Sequence, residues 1–295
     1  MDYITPTAAG VALGTLARYI MLRSDYRQYP TYPHGAVTHL SLGFIGAALG
    51  AVAIPALLEK DFAAISFLSL AATQFRDVRE MERSMLSSIE HSELVPRGPD
   101  YIEGIARVFE ARNYLVIIIA LLVSGFTAYT NIGVGILVSI IALFFANKLM
   151  KGKVVGQIAK VREGEVRFEG PQLFVDDIHF MNLGTEETRQ TVLSRGLGVI
   201  IEPLDDNARA TLANSGQRQA IAHEASAQVG VYRDVDTAEF MPISRRDLDT
   251  GRIGLIILPI EKDIECLIEA VKRTPVLESA MAKPLKSKTG RGASD

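Results

Sequence analysis

Tryptophan is absent from the 295 residues, and cysteine occurs once, at Cys266. A single thiol excludes an intrachain disulfide and fits a reduced, cytosol-facing compartment. Without tryptophan, an aromatic belt at a membrane interface would have to rest on tyrosine. A basic excess is missing too. The net charge is −3, which argues against a nucleic-acid binder, because phosphate contact needs clustered positive charge. No Walker-type phosphate loop occurs. Gly196-Leu197-Gly198 precedes an apolar run instead of following one, so it is not a dinucleotide fingerprint. His223-Glu224 lacks the second histidine of a zinc-protease helix, and Ser215-Gly216 lies in a helical stretch without a nucleophile elbow. All three read as structural, and no cofactor or metal is expected. Met1-Asp2-Tyr3 offers no basic leader, so the first apolar segment is expected to be a retained helix and not a cleaved signal.

The most consequential absence is charge between Asn113 and Ala146. A run of about 18 apolar residues reads as one membrane-spanning helix, and this one is long enough for two. Tyr129-Thr130-Asn131 supplies the turn between them. The expected class is a membrane protein with an N-terminal α-helical bundle of about five transmembrane helices, followed by a cytoplasmic α/β domain. The spans are placed at 6–22, 35–58, 62–75, 113–129 and 131–149, the domains at 1–150 and 151–280, and a disordered tail at 281–295. Thr5-Pro6 starts the first span, since proline at the first helical position gives up a donor that had no partner. Pro55 is expected to bend the second. The third is short, with an apolar part of only 62–73, and charge decides for its crossing. With five spans, Arg23 and Arg27, then Arg76, Arg79, Arg83, Arg97, Arg107 and Arg112, and finally Lys148, Lys151 and Lys153 all fall on one side. Basic residues stay cytoplasmic, so the N-terminus is expected outside and the C-terminal domain inside.

Small residues mark helix seams. Gly10 and Gly14, and Gly46 and Gly50, are each four apart, with Gly43 one turn earlier. Such spacing lets backbones approach in lipid. Its plain reading is packing within the bundle; the alternative is a seam for a homo-oligomer. His39, beside Thr38 and Ser41, is an ionisable group at the edge of the second span, either a hydrogen-bonded interfacial histidine or a working one. His34 and His39 are five apart, which does not suit two metal ligands on one helix face.

From Phe62 one helix is expected to continue to Ile89, because Phe75, Val78, Met85, Leu86 and Ile89 recur at helical spacing. Its charged stretch, Arg76-Asp77-Val78-Arg79-Glu80-Met81-Glu82-Arg83, opens the Arg-rich loop 76–112. Pairs along it are worth a few tenths of a kcal/mol each. The plain reading is a solvated face. The functional one is a charged mouth for an anion, a lipid headgroup or a partner, with Arg76, Arg79 and Arg83 as binding residues. Leu94 to Asp100 is a turn-rich break. Asp100 is expected to cap a helix starting at Tyr101, with Glu103 at the capping-box position.

The hexapeptide Tyr101-Ile102-Glu103-Gly104-Ile105-Ala106 carries a resemblance. The chain resembles the YIEGIA family of bacterial membrane proteins, with flanks from Phe75-Arg76-Asp77-Val78-Arg79-Glu80 to Ala111-Arg112-Asn113-Tyr114. Tyr101 and Glu103 join Arg76, Arg79 and Arg83 as candidate binding residues. The resemblance covers most of the chain. It implies an origin in endospore-forming Firmicutes and a sporulation-linked role. It carries over no catalytic assignment.

In the C-terminal part, Val154–Val161, Glu165–Phe168 and Gln172–Phe180 read as strands, and Glu186–Arg195 as a helix. Gly198-Val199-Ile200-Ile201-Glu202-Pro203 parallels Gly254-Leu255-Ile256-Ile257-Leu258-Pro259. Each pairs an apolar strand and a terminating proline with an acidic helix start, leading to helices at about 208–228 and 262–273. Two such units imply an α/β sandwich. The repeat reads as recurrent local geometry or as two pseudo-symmetric halves with a ligand or dimer site at their junction.

The expected function is to anchor or regulate a protein partner through 151–280. The alternative is a membrane enzyme, a protease or lipid-acting hydrolase, with His39, Asp77, Glu80 and Glu103 as acid–base candidates at the cytoplasmic face. A small oligomeric channel or transporter is a third reading. Expected partners are the bilayer and a protein, and not nucleic acid.

Overall fold

The computed structural model describes residues 3–25, 33–75, 77–150, 152–235 and 239–292. Arg27, Arg76 and Lys151 lie outside the described residues, as do the side chains of Arg23 and His34. The chain forms two compact units. The first comprises 1–84 and 105–151, the second 85–104 and 152–295. A boundary expected near 150 therefore has an addition: residues 85–104, from the Arg-rich loop, belong with the C-terminal unit.

The first unit is helical. It contains α1 (Ile4–Asp25), α2 (Pro33–Leu58), α3 (Phe62–Phe75), the start of α4 (Val78–Ile89), most of α5 (Pro99–Tyr129) and α6 (Ile132–Leu149). Proline opens α2 and α5, where its fixed φ suits the first turn. Asp61 caps α3 by accepting the Ala63 and Ala64 N–H groups at 3.0 Å. Asn131 caps α6 by accepting from the Val134 N–H at 3.1 Å, so the turn expected at 129–131 is built. Two helices, Gly35–Leu58 and Pro99–Tyr129, are long and apolar enough to cross a membrane, and Ile132–Lys148 is a shorter apolar helix. The single helix expected from Phe62 to Ile89 is instead two, α3 and α4.

Apolar side chains both fill and cover this unit, with Met21, Val116, Ile119 and Val123 in its core. Large apolar side chains point outward, including Phe62, Phe67, Ile140 and Phe144, each 59–77% exposed. Arg18, His39, Glu82, Arg112 and Asn113 are at most 4% exposed. The helices close on small residues. A Cβ on Gly14 would lie 2.9 Å from the Cβ atoms of Ala47 and Ala120, and one on Gly50 would lie 2.2 Å from the Ile117 carbonyl. The faces carrying Gly10, Gly14, Gly46 and Gly50 thus pack against helices of the same chain.

The second unit is α/β. Strands β1 (Ala159–Gly164), β5 (Leu197–Pro203), β6 (Ile243–Arg246) and β7 (Ile253–Ile257) form a sheet in the order β1-β5-β7-β6, antiparallel throughout. Strands β2 (Val166–Glu169), β3 (Gln172–Val175) and β4 (Ile178–Asn182) form a smaller antiparallel sheet. The helices are α7 (Glu186–Arg195), α8 (Asp206–Leu212), α9 (Ser215–Val229), α10 (Ile264–Arg273) and α11 (Lys288–Gly292). One face of the larger sheet presents Val199, Ile201, Ile253, Leu255 and Ile257 to Leu212, Ile221, Ala225 and Leu267 of the helices. The other presents Ile200 and Ile256 to Leu173, Val175 and Phe180 of the smaller sheet. Burial on both faces explains why β5 and β7 read as continuous apolar runs. Gly254 is required here, because a Cβ would meet the Phe180 ring at 2.9 Å.

Several expectations are corrected. Val154–Val161 is not one strand: Val155–Gln157 forms a 3-10 turn and β1 starts at Ala159. Gln172–Phe180 is a hairpin turning at Asp176, which has φ 54°. The helix expected over 208–228 breaks at Ala213, because Asn214 caps α9 by accepting from the Gln217 N–H. Residues 284–292, expected to be disordered, form a 3-10 turn and α11. The paired segments β5–α8 and β7–α10 both start their helix on an aspartate cap, Asp205 and Asp263. Their strands are neighbours in an antiparallel ladder, so no parallel-sheet switch point lies between them.

Candidate functional site

In the first unit four helices contribute to a buried polar cluster. His39 from α2 and Glu82 from α4 place Nε2 and Oε1 3.7 Å apart, with both side chains at most 4% exposed. Glu82 takes its inward place because it follows Val78 and precedes Leu86, both buried, at steps of four. The Phe109 ring of α5 lies 4.5 Å from the His39 ring. Arg18 of α1, fully buried, sets its guanidinium over the Phe109 ring, 5.4 Å from the centroid. Gly43 makes room for Arg18, since a Cβ there would come within 2.3 Å of its Cγ. Asn113 donates Nδ2–H to the Phe109 carbonyl at 3.1 Å. An imidazole beside a carboxylate is a pair of groups suited to acid–base work. Among the described residues no group of three or more His, Cys, Asp or Glu could hold a metal ion.

The second unit holds the signature segment. Tyr101, 1% exposed, donates its hydroxyl to Glu224 Oε1 at 3.0 Å, and its backbone N–H donates to Gln219 Oε1 at 3.0 Å. Burial first, then the charge of Glu224, push the Tyr101 phenol above its ordinary range, so it stays a donor. His223 donates Nδ1–H to the Val95 carbonyl at 2.6 Å. That bond fixes the tautomer, because a carbonyl only accepts. Gln219 and His223 are four apart on α9, hence on one face, while Ile221 and Ala225 turn to the sheet. Arg97, 6% exposed, reaches Glu93 at 3.2 Å and Glu90 at 3.5 Å, and Glu90 also accepts the Gly98 N–H at 3.0 Å. Gly98 has φ +85°, a left-handed conformation that suits glycine. Arg233 Nη1 donates to the Leu94 carbonyl. Gly104 packs where a Cβ would meet Ser279 Oγ at 2.6 Å. Residues 90–104 thus form a strap fastened to α9.

The residues expected from sequence are dispersed. His39 is in the buried cluster. Asp77 and Glu80 are exposed, and Glu80 pairs with Arg83 at 2.5 Å. Arg79 lies 3.9 Å from Glu110. Glu103 is half-buried and belongs to the other unit. The expected capping role of Asp100 is corrected: α5 starts two residues earlier than Tyr101, at Pro99, and Gln219 accepts the Tyr101 N–H. Glu82, Arg18 and Asn113 were not singled out, and neither were Gln219 and Glu224 as partners of Tyr101.

The YIEGIA protein family model matches residues 6–287. The chain is 46% identical over 283 residues to the Uncharacterized protein YphB of Bacillus subtilis (strain 168), covering 96% of this chain and 95% of that protein. No solved structure matches it.

Proposed function

We propose, on the premise that this chain belongs to the YIEGIA protein family, that it is a sporulation-linked integral membrane protein that anchors or regulates a protein partner through its C-terminal domain. The observation that carries the membrane part is the apolar outer surface of the first unit, together with the charged groups buried within it. Phenylalanines, leucines and isoleucines face outward on α2, α3, α5 and α6, while Arg18, His39, Glu82 and Arg112 are buried. Contiguous exposed apolar surface of this kind is what a lipid solvent selects. In this reading 6–22, 35–58, 62–75, 113–129 and 131–149 cross the bilayer, with the N-terminus outside and the domain from residue 151 cytoplasmic. At 14 residues α3 spans about 21 Å, short of the roughly 30 Å hydrocarbon core, so its crossing rests on the charge asymmetry of the loops. The bilayer and a protein are the partners.

Deletion of 152–295 tests the anchoring role: loss of function in sporulating cells with the truncated chain still in the membrane supports it, and full function without that domain removes it.

A second reading is favoured by one observation, the buried His39–Glu82 pair. A membrane hydrolase could use it for acid–base work. Glu82→Gln and His39→Ala at normal protein level would then abolish function. Proteins that accumulate in both variants without more transcript would point to a protease. Unimpaired function in both removes the enzyme reading.

A further inference from the structure

Among the described residues of the second unit, Arg218, Arg245 and Arg246 make no ion pair. Arg218 is in the first turn of α9, and Arg245 and Arg246 are on β6, an edge strand of the larger sheet. Arg246 is opposite Ile253, and Arg245 opposite Gly254. Ile253 faces the helices, so Arg246 projects to the same side as α9, which packs against β6. Arg245 turns to the other face, where its Nε donates to the Phe180 carbonyl at 3.1 Å.

Arg218 and Arg246 are half-buried, and the Nε of each is shielded from solvent without a hydrogen-bond acceptor among the described residues. Neither makes an ion pair there, although elsewhere in this unit Arg97, Arg162, Arg167, Arg189 and Arg252 all do. Burial, and then the charges of Arg246 and Arg245, loosen the Arg218 proton, with Asp100 the opposing charge. Partly desolvated like charges are unfavourable unless an anion joins them. Guanidinium forks match carboxylate and phosphate oxygens alike, and a phosphate brings three acceptor oxygens and the larger charge.

We propose that Arg218 and Arg246 form a site for a phosphate group at the helix-side edge of the larger sheet. Two sources share that chemistry, a soluble phosphate-bearing molecule and the headgroup of an anionic phospholipid. The site does not depend on the anchoring role.

The test measures thermal unfolding of the full chain in zwitterionic detergent, with inorganic phosphate against chloride at equal ionic strength. A second arm uses nanodiscs of phosphatidylcholine with and without phosphatidylglycerol. A phosphate-dependent rise in Tm identifies a soluble ligand, and a rise with phosphatidylglycerol identifies a headgroup. In either case Arg218→Gln and Arg246→Gln should raise Tm without anion, because repulsion is relieved, and should weaken anion binding at least about tenfold. Arg246→Lys keeps the charge but loses the fork, and should also bind more weakly. The proposal is overturned if neither anion raises Tm, or if the rise persists undiminished in the variants.

Discussion

Tyr101→Phe removes one oxygen from the signature segment and should unfasten the strap locally. The hydroxyl donates to a carboxylate at 3.0 Å from a side chain that is 1% exposed. Hydrogen bonds to charged groups contribute about 1.5–3 kcal/mol. Glu224 is half-buried, so water replaces part of what it loses, and the expected cost is about 1–2 kcal/mol. Because the phenol bonds α9 while the rest of the ring stays packed, the loss should appear as opening of 90–101 before global unfolding. Limited proteolysis of the native full chain reads this directly. Trypsin at Arg97, now 6% exposed, and glutamyl endopeptidase at Glu93 should cut about five- to thirty-fold faster, since cleavage tracks the open population. Glu224→Gln keeps an acceptor and should have the smaller effect. Cleavage in Tyr101→Phe within about twofold of the parent, the range of a neutral surface substitution, would refute the reasoning.

Other perturbations follow from the same contacts. Gly50→Ala drives a Cβ to 2.2 Å from the Ile117 backbone carbonyl. It should destabilise the helical unit by about 1–3 kcal/mol, read as lower Tm and monodisperse yield in detergent, whereas Gly152→Ala, with nothing within 4 Å, should be neutral. Arg252 hydrogen-bonds Asp177 and holds its carboxyl below the usual range. A depressed folded-state pKa gives stability that is present above the unfolded value of about 4 and is lost as pH falls through the folded one. Arg252→Gln should therefore flatten the acid limb of the stability–pH curve, and an unchanged limb would contradict the pairing.

Much of the fold was legible because burial writes itself into the pattern. Val199-Ile200-Ile201 and Leu255-Ile256-Ile257 are apolar on both faces and stand as central strands. Ile243-Ser244-Arg245-Arg246 carries one apolar residue and lies at a sheet edge, so β6 left little trace. The break between α8 and α9 was signalled by Asn214 three residues before Gln217, a capping spacing that the surrounding helical composition hid. Of the buried cluster, His39 stood out and Glu82 did not. Glu82 sits among five other charges between positions 76 and 83, yet its step of four from Val78 and to Leu86 marks the apolar stripe of α4. Arg18 in an otherwise apolar segment was a comparable signal. Tyr101 and Glu224 are 123 residues apart, and no local rule joins them.

Cys266 gives the most direct test of the membrane account. It is the one cysteine in the chain, and it is exposed on α10 of the C-terminal unit. Cells expressing the full chain would be treated with a membrane-impermeant maleimide before or after permeabilisation, and the protein recovered from carbonate-washed membranes. The account predicts that the chain stays in the washed membranes and that Cys266 is labelled only after permeabilisation. Labelling in intact cells would reverse the proposed topology, and release of the chain by carbonate would contradict a membrane-embedded helical unit.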